Sequence, residues 1–310
     1  MDSRRSFLKS TFTSASLLGI GGIPLTSLAA DGATEKYNFN LSYAPHFGMF
    51  KESAGADLLA QLDFMAANGF RSFEDNGMMD RTPDIQKKIG ERLAKLNMDM
   101  GVFVIDAGDN WKTSLTTGKK EFNDAFLKRC KEAVEVAKRV NGKYMTVVPG
   151  YFARELPLGI QTGNVIETYK RAAEIFEPHG LVMVMEPLSD NPDLFLRHSD
   201  QSYMICKAVG SSTCKILFDI YHMQKNEGRL IQHINWAWDE IAYFQIGDEP
   251  GRKEPTTGEI NYKNVFKHIY QKAKESGRSF IFGMEHGNFG KGAEGEKALI
   301  NAYKEVDKFL

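Results

Sequence analysis

Four apolar runs in the second half of the chain each end on a side chain that offers an oxygen. Leu181 to Glu186 (LVMVME) ends in a carboxylate, and Lys215 to Asp219 (KILFD) ends in another. Ile241 to Gln245 (IAYFQ) ends in an amide, and Phe280 to Glu285 (FIFGME) ends in a third carboxylate. An ionisable group at the end of a core run is costly to desolvate unless a partner, a metal or open water meets it. Three carboxylates and an amide oxygen are a hard-ligand set. They suit one divalent cation, Mg²⁺ or Mn²⁺, better than a thiolate-seeking metal, although zinc or cobalt could occupy such a site in vitro. His222, three residues after Asp219, is a candidate donor to a substrate oxygen.

These side chains need elements that bring them together. Asn38 to Ala44 is the first expected strand and runs into His46. Helical spacing follows from Asp57 to Asn68, with Leu58, Leu59, Leu62 and Met65 on one stripe. Strand two is expected over Phe70 to Glu74. A helix over Pro83 to Asn97 is capped by Thr82, with Ile85, Ile89 and Leu93 inward. Strand three spans Met98 to Ile105, and strand four Tyr144 to Val148. Further helices are expected over Phe122 to Val140, Val165 to His179, Asp200 to Val209, Leu230 to Trp236, Tyr262 to Ser276 and Ala293 to Leu310. Strict alternation implies parallel strands with right-handed crossovers, and eight units point to a single (β/α)8 TIM barrel over 38–310. No G-x-G-x-x-G or Walker-type loop supports a doubly wound sheet instead. In such barrels the active site lies where the strands end. Glu186, Asp219, Gln245 and Glu285 then sit on strands five to eight and share half of one rim.

Composition sets the outer limits. The 310 residues are 42% hydrophobic and 25% charged, which is globular. With 39 Lys and Arg against 40 Asp and Glu, the net charge of -1 advertises no nucleic-acid or anionic-membrane partner. Residues 1–30 stand apart. Arg4 and Arg5, then Phe7, Leu8 and Lys9, resemble a twin-arginine export signal, and Ser27 to Ala30 would suit signal peptidase. The expectation is export to the periplasm, a linker over 31–37, and no stable membrane association once the signal is removed. Cys130, Cys206 and Cys214 give neither a disulfide framework nor a zinc spacing, and they read as core thiols. Homo-oligomerisation is left open.

The segments LVMVMEPLS, FDIYHMQ, FQIGDEPGRKEPTTGEINY and GMEHG are similar to the hydroxypyruvate isomerase family, within the xylose isomerase-like group of barrels. The likeness covers most of residues 38–310 and is densest from 181 to 290. Its most specific run is Pro250 to Tyr262, PGRKEPTTGEINY. The resemblance implies that Glu186, Asp219, Gln245 and Glu285 hold one divalent metal, with Glu186 and Glu285 as the acid/base pair. It also implies a small hydroxycarbonyl substrate, hydroxypyruvate interconverting with tartronate semialdehyde. By likeness to the related ketose epimerases, His222 and Arg252 would bind substrate oxygens, and Arg252 could clamp a carboxylate. The departures are the export signal and the ends of strands one and two, APHFGMF and FEDNGMM.

Other residues stay open at this level. His46 either touches substrate or caps strand one. Glu74 or Asp75 orients a ligand or lies on a solvated rim. Trp111 lids the pocket or packs on the surface. His286 would stand behind the ligands, and Asp248 and Glu254 would steady the loop after strand seven. A sugar or polyol isomerase or 3-epimerase would use the same metal and glutamates. An exported binding protein would need no acid/base pair. A phosphodiesterase of the endonuclease IV kind would need more His ligands than the three near strand ends: His46, His222 and His286.

Overall fold

Short apolar strands separated by amphipathic helices bury both sheet faces by closing the sheet on itself and ringing it with helices. The computed structural model describes residues 37–105 and 114–310. The eight strands are β1 (Ser42–Ala44), β2 (Ser72–Phe73), β3 (Asp99–Val104), β4 (Gly142–Val147), β5 (Val182–Met185), β6 (Cys214–Asp219), β7 (Ile241–Gln245) and β8 (Ile281–Gly283). All pair in parallel, in the order β1-β8-β7-β6-β5-β4-β3-β2. The seam between β1 and β2 is joined by a parallel bridge between His46 and Glu74, where Glu74 N–H donates to Pro45 O at 3.1 Å. The fold is a nearly closed TIM barrel.

Ten α-helices accompany the strands among the described residues: α1 (Lys51–Ala54), α2 (Leu58–Ala67), α3 (Pro83–Leu96), α4 (Lys120–Val140), α5 (Leu158–Phe176), α6 (Ser199–Val209), α7 (Ile220–Asn226), α8 (Leu230–Ala237), α9 (Tyr262–Ser276) and α10 (Gly292–Val306). Their caps follow local chemistry. Asp57 and Thr82 accept from the first-turn amides of α2 and α3, and Asn97 ends α3 in the left-handed conformation.

Several boundaries differ from the sequence expectation. α5 begins at Leu158 rather than Val165, because Pro157 opens it and the two intervening glycines are tolerated. β4 opens at Gly142, two residues before the expected Tyr144, and Asn141, at φ 52°, ends α4. Ile85 was expected inward but is 37% exposed, since the buried face of α3 runs through Gln86, Ile89, Gly90 and Leu93. The short helices α1 and α7 are additions that lack a long apolar period. Residues 1–30, most of the linker, and Trp111 lie outside the described residues.

The apolar interior has two parts. The larger lies between strands and helices and includes Met183, Met185, Ile216, Phe218, Phe244 and Phe282. A smaller cluster of Val102, Val182, Val184, Leu217 and Tyr243 fills the barrel. Side chains alternate along a strand, so this division assigns each strand-end residue a face.

Candidate active site

The strand period aims the four expected ligands inward. Glu186 follows barrel-facing Val184 by two residues, Asp219 follows Leu217 by two, and Gln245 follows Tyr243 by two. Glu285 follows Ile281 by four, and Ile281 packs on the same inner cluster. Asp219 and Gln245 are direct cross-strand partners on β6 and β7. Each strand stops where its carboxylate or amide emerges at the C-terminal mouth.

One ligand atom each from Glu186, Asp219, His222 and Glu285 lies within 4.8 Å of the others. Four buried atoms here have no hydrogen-bond partner: Glu186 Oε1, Asp219 Oδ2, His222 Nε2 and Gln245 Oε1. Leaving such atoms bare is expensive, so their convergence is a ligand-binding arrangement in itself. Asp219 divides its labour. Its Oδ1 accepts from Tyr221 N at 2.7 Å and His222 N at 3.3 Å, capping α7, which leaves Oδ2 for the centre. Glu285 is held on both oxygens, by Arg252 Nη2 at 2.7 Å and Asn76 Nδ2 at 2.9 Å.

His222 enters as a proton donor. The backbone N–H of Ser189 points at His222 Nδ1 from 3.2 Å, and an N–H can only donate. Nδ1 is therefore the acceptor, and the neutral ring carries its proton on Nε2. That Nε2–H faces Asp219 Oδ2 at 3.6 Å, Glu186 Oε1 at 3.7 Å and Asp190 Oδ2 at 3.9 Å. In this tautomer it offers no lone pair to a metal. The oxygen donors Glu186, Asp219, Gln245 and Glu285 make the set that fits a divalent cation.

Electrostatics point the same way. Burial raises Glu186 well above the usual carboxylate range; Glu285 and Asp219 add to the rise and Arg252 opposes it. Burial also raises Asp219 and Glu285, each again opposed by Arg252. Burial, with Arg252 adding, lowers His222 to about 4, so the ring is neutral near pH 7. Burial works against Arg252's own charge, but Glu285, Asp219, Glu186 and Asp190 outweigh it and raise its pKa. One guanidinium thus faces four carboxylates. A buried surplus of negative charge with unpartnered oxygens fits a hard dication.

The family model described as xylose isomerase-like TIM barrel matches residues 62–305. The chain belongs to that family. Among sequence relatives, it is 29% identical over 225 residues to the hydroxypyruvate isomerase of Escherichia coli (strain K12), covering 69% of this chain and 83% of that protein. It is 30% identical over 137 residues to the 2-oxo-tetronate isomerase of Cupriavidus necator, covering 44% of this chain and 53% of that one. Its fold matches an AP endonuclease family 2 structure from Brucella melitensis with TM-score 0.71 and 23% identity, covering 82% of this chain and 96% of that chain. As a xylose isomerase-like barrel with relatives named isomerases, the chain is an enzyme of isomerase type acting on a small molecule.

Within this xylose isomerase-like barrel, the remaining expected residues divide. Arg252 is at the site, packed over the Tyr221 ring at 5.1 Å, 3.5 Å from Asp219 Oδ2 and paired with Glu285 Oε2 at 2.7 Å. The ring of His46 lies among backbone carbonyls, with Nδ1 2.8 Å from Phe47 O and Nε2 3.3 Å from His286 O, and its single N–H in the neutral form donates to one of them. His286 is buried against Tyr303, with Nε2 2.7 Å from its hydroxyl. Asp248 accepts from Gly258 N at 2.9 Å and Ile260 N at 3.1 Å, and Glu254 accepts from Phe289 N at 2.8 Å, so both brace the loop after β7. Asp75 is not on an open rim but paired with Arg81.

Sequence reasoning missed Asp190, Ser189, Asn76 and Tyr221. Asp190 lies four residues beyond Glu186 on the same strand-end loop, with Oδ1 3.6 Å from Arg252 Nη1. Asn76 is two residues past Glu74. Position just beyond a strand end was the available signal.

Proposed function

We propose that the chain is a divalent-cation-dependent isomerase of a small α-hydroxycarbonyl compound, with hydroxypyruvate as the leading substrate. The observation that carries this reading is that ligand atoms of Glu186, Asp219 and Glu285 lie within 4.8 Å of one another, with buried Glu186 Oε1 and Asp219 Oδ2, and Gln245 Oε1 on the neighbouring strand, left without hydrogen-bond partners. Glu186, Asp219, Gln245 and Glu285 would hold the cation, Mg²⁺ or Mn²⁺. When bound, it would stabilise the negative charge that develops on adjacent substrate oxygens as a proton leaves carbon. Glu186 and Glu285 form the acid/base pair: one removes the proton beside the carbonyl, and the other delivers a proton to the neighbouring carbon. The neutral His222 ring donates Nε2–H to a substrate oxygen. Arg252 orients Glu285 and lends positive charge to the substrate end of the pocket.

The test is solvent exchange. Protein loaded with Mn²⁺ in D₂O should place deuterium on the carbon beside the carbonyl of hydroxypyruvate. Glu285→Gln should cut that exchange by about 10²- to 10⁴-fold while leaving substrate binding measurable. Absence of exchange with every short 2-oxo acid and ketose tried would sink the proposal.

Asp190 favours a second reading. A carboxylate beside Arg252 and His222 repels an anionic substrate end and accepts from a hydroxyl, which suits a sugar or polyol isomerase or 3-epimerase on the same centre. Comparing ketoses with 2-oxo acids in wild type and Asp190→Asn separates the two. Under this second reading, wild type prefers ketoses, and the variant loses turnover of ketoses and gains on acids. We also propose that residues 1–30 direct export by the twin-arginine route. Replacing Arg4 and Arg5 by Lys should then retain the protein inside the cell, as read by fractionation.

A further inference from the structure

Beneath the four oxygens lies an acidic residue that the proposed chemistry does not use. Glu74, at the end of β2, is 1% exposed, and no ion pair to it is found among the described residues. Its neighbours are donors. Tyr243 OH donates to Glu74 Oε2 at 3.0 Å, and Gln245 Nε2 lies 3.5 and 3.4 Å from the two carboxylate oxygens. The polarity of this chain is fixed from one end. The backbone N–H of Val102 points at Tyr243 OH from 3.4 Å, so the tyrosine oxygen accepts and its proton goes to Glu74.

The space for this arrangement is made by two glycines. A Cβ on Gly283 would sit 1.9 Å from Glu74 Oε2, and one on Gly101 would sit 2.4 Å from Tyr243 OH. Neither glycine has a positive φ, so room and not backbone freedom is what they supply. The barrel thus accommodates a carboxylate at the level just below the mouth.

The consequence falls on Gln245. An amide has two chemically different ends, and only its nitrogen can donate to a carboxylate. With Nε2 turned to Glu74, Oε1 is the end left over, and it is one of the four unpartnered buried atoms. We propose that Glu74 is a positioning residue for the cation: it pins the Gln245 amide nitrogen from below, so that the amide oxygen faces the centre. This rests on the cation reading above. Partners standing behind metal ligands orient them in this way, and their loss costs about 10- to 100-fold in affinity.

The experiment is titration of the full chain with Mn²⁺, following free Mn²⁺ by electron paramagnetic resonance. Glu74→Gln should raise Kd by about 10- to 100-fold, because Gln at position 74 can donate to Gln245 Oε1 and turn it from the centre. The double variant E74Q/Q245E restores one donor and one acceptor with the roles exchanged, and leaves a carboxylate oxygen facing the ligands. It should bind Mn²⁺ more tightly than E74Q alone. A merely structural role would lower the melting temperature without this rescue. Tyr243→Phe, a milder change that frees one oxygen of Glu74, should weaken Mn²⁺ several-fold and serves if E74Q does not fold. Wild-type affinity in folded E74Q, no gain in the double variant, or unchanged affinity in Tyr243→Phe with E74Q unfolded, each overturns the inference alone. A wild-type chain that binds no Mn²⁺ overturns the cation reading and the inference together.

Discussion

At the scale of single residues, the site is decided by which atom of each side chain is already engaged. Asp219 spends one oxygen on α7 and keeps the other, and His222 spends Nδ1 on Ser189 and keeps a proton on Nε2. Sequence located both residues but could not say which nitrogen of His222 was free, because that depends on Ser189, more than thirty residues away. His286 gives a residue-scale prediction. Burial lowers it to about 3, against an ordinary value of 6.5. The unfolded chain therefore takes up a proton below pH 6.5 that the folded chain refuses, and stability falls as pH falls through that window. The limit is about 1.4 kcal/mol per pH unit. His286→Gln loses the Tyr303 contact at any pH but carries no such penalty. Its urea midpoint should trail wild type at pH 7, and the gap should narrow by pH 5.

Elements place these atoms through period and contact. The continuous apolar runs of β5 to β8, each closed by a polar side chain, are legible in the sequence and place four polar ends on one rim, whereas the face each end takes follows from the strand period in the closed sheet. The helices α1 and α7 were not legible, since four and seven residues show no clear stripe; α1 is held from a distant helix and α7 by a single capping residue. Glu296 of α10 accepts from Glu52 N and Ser53 N of α1, both at 2.8 Å, while Asp219 caps α7. Helix packing supplies the prediction at this scale. Gly90, buried in α3, lies against the end of α4, where an added Cβ would meet Arg139 O at 2.1 Å. Ala is the better helix former by about 1 kcal/mol. Backbone cannot yield as a side-chain tip can, so overpacking should win. Gly90→Ala is expected to lower stability by about 1–3 kcal/mol, measured by urea unfolding, whereas a rise would show that the helices can part.

For the whole molecule, closure and charge act together. Asp307, just past α10, accepts from Asn40 N at 2.8 Å, Leu41 N at 3.3 Å and Tyr43 OH at 3.0 Å, so the end of the described chain is tied to its beginning. The closed barrel then crowds Glu186, Asp219 and Glu285 at one end, with Glu74 below, and all four are raised by burial. A raised carboxylate binds protons when folded that it releases when unfolded. Its stabilising contribution is complete below the unfolded value and is lost as pH rises through the folded one. The metal-free protein should therefore lose stability across that range. Mn²⁺ at 100 times its Kd should restore about 2.7 kcal/mol. Its gain in melting temperature should be larger at pH 8 than at pH 5.5, and EDTA should reverse it. An equal melting temperature with Mn²⁺ and with EDTA at both pH values would contradict this.

The sequence by itself determined the alternation of strands and helices, hence the barrel, and the strand ends on which the polar residues fall. Both follow from local period and from the cost of burying a charge, which any short window of chain records. Tertiary structure alone decided that Asp190, Ser189 and Asn76 join the centre, that His46 turns to backbone carbonyls, and that Glu74 lies under Gln245. Those outcomes depend on closing the ring. Only closure sets β2 against β7 and β8 across the barrel, and no local pattern carries the distance between residues 74 and 245.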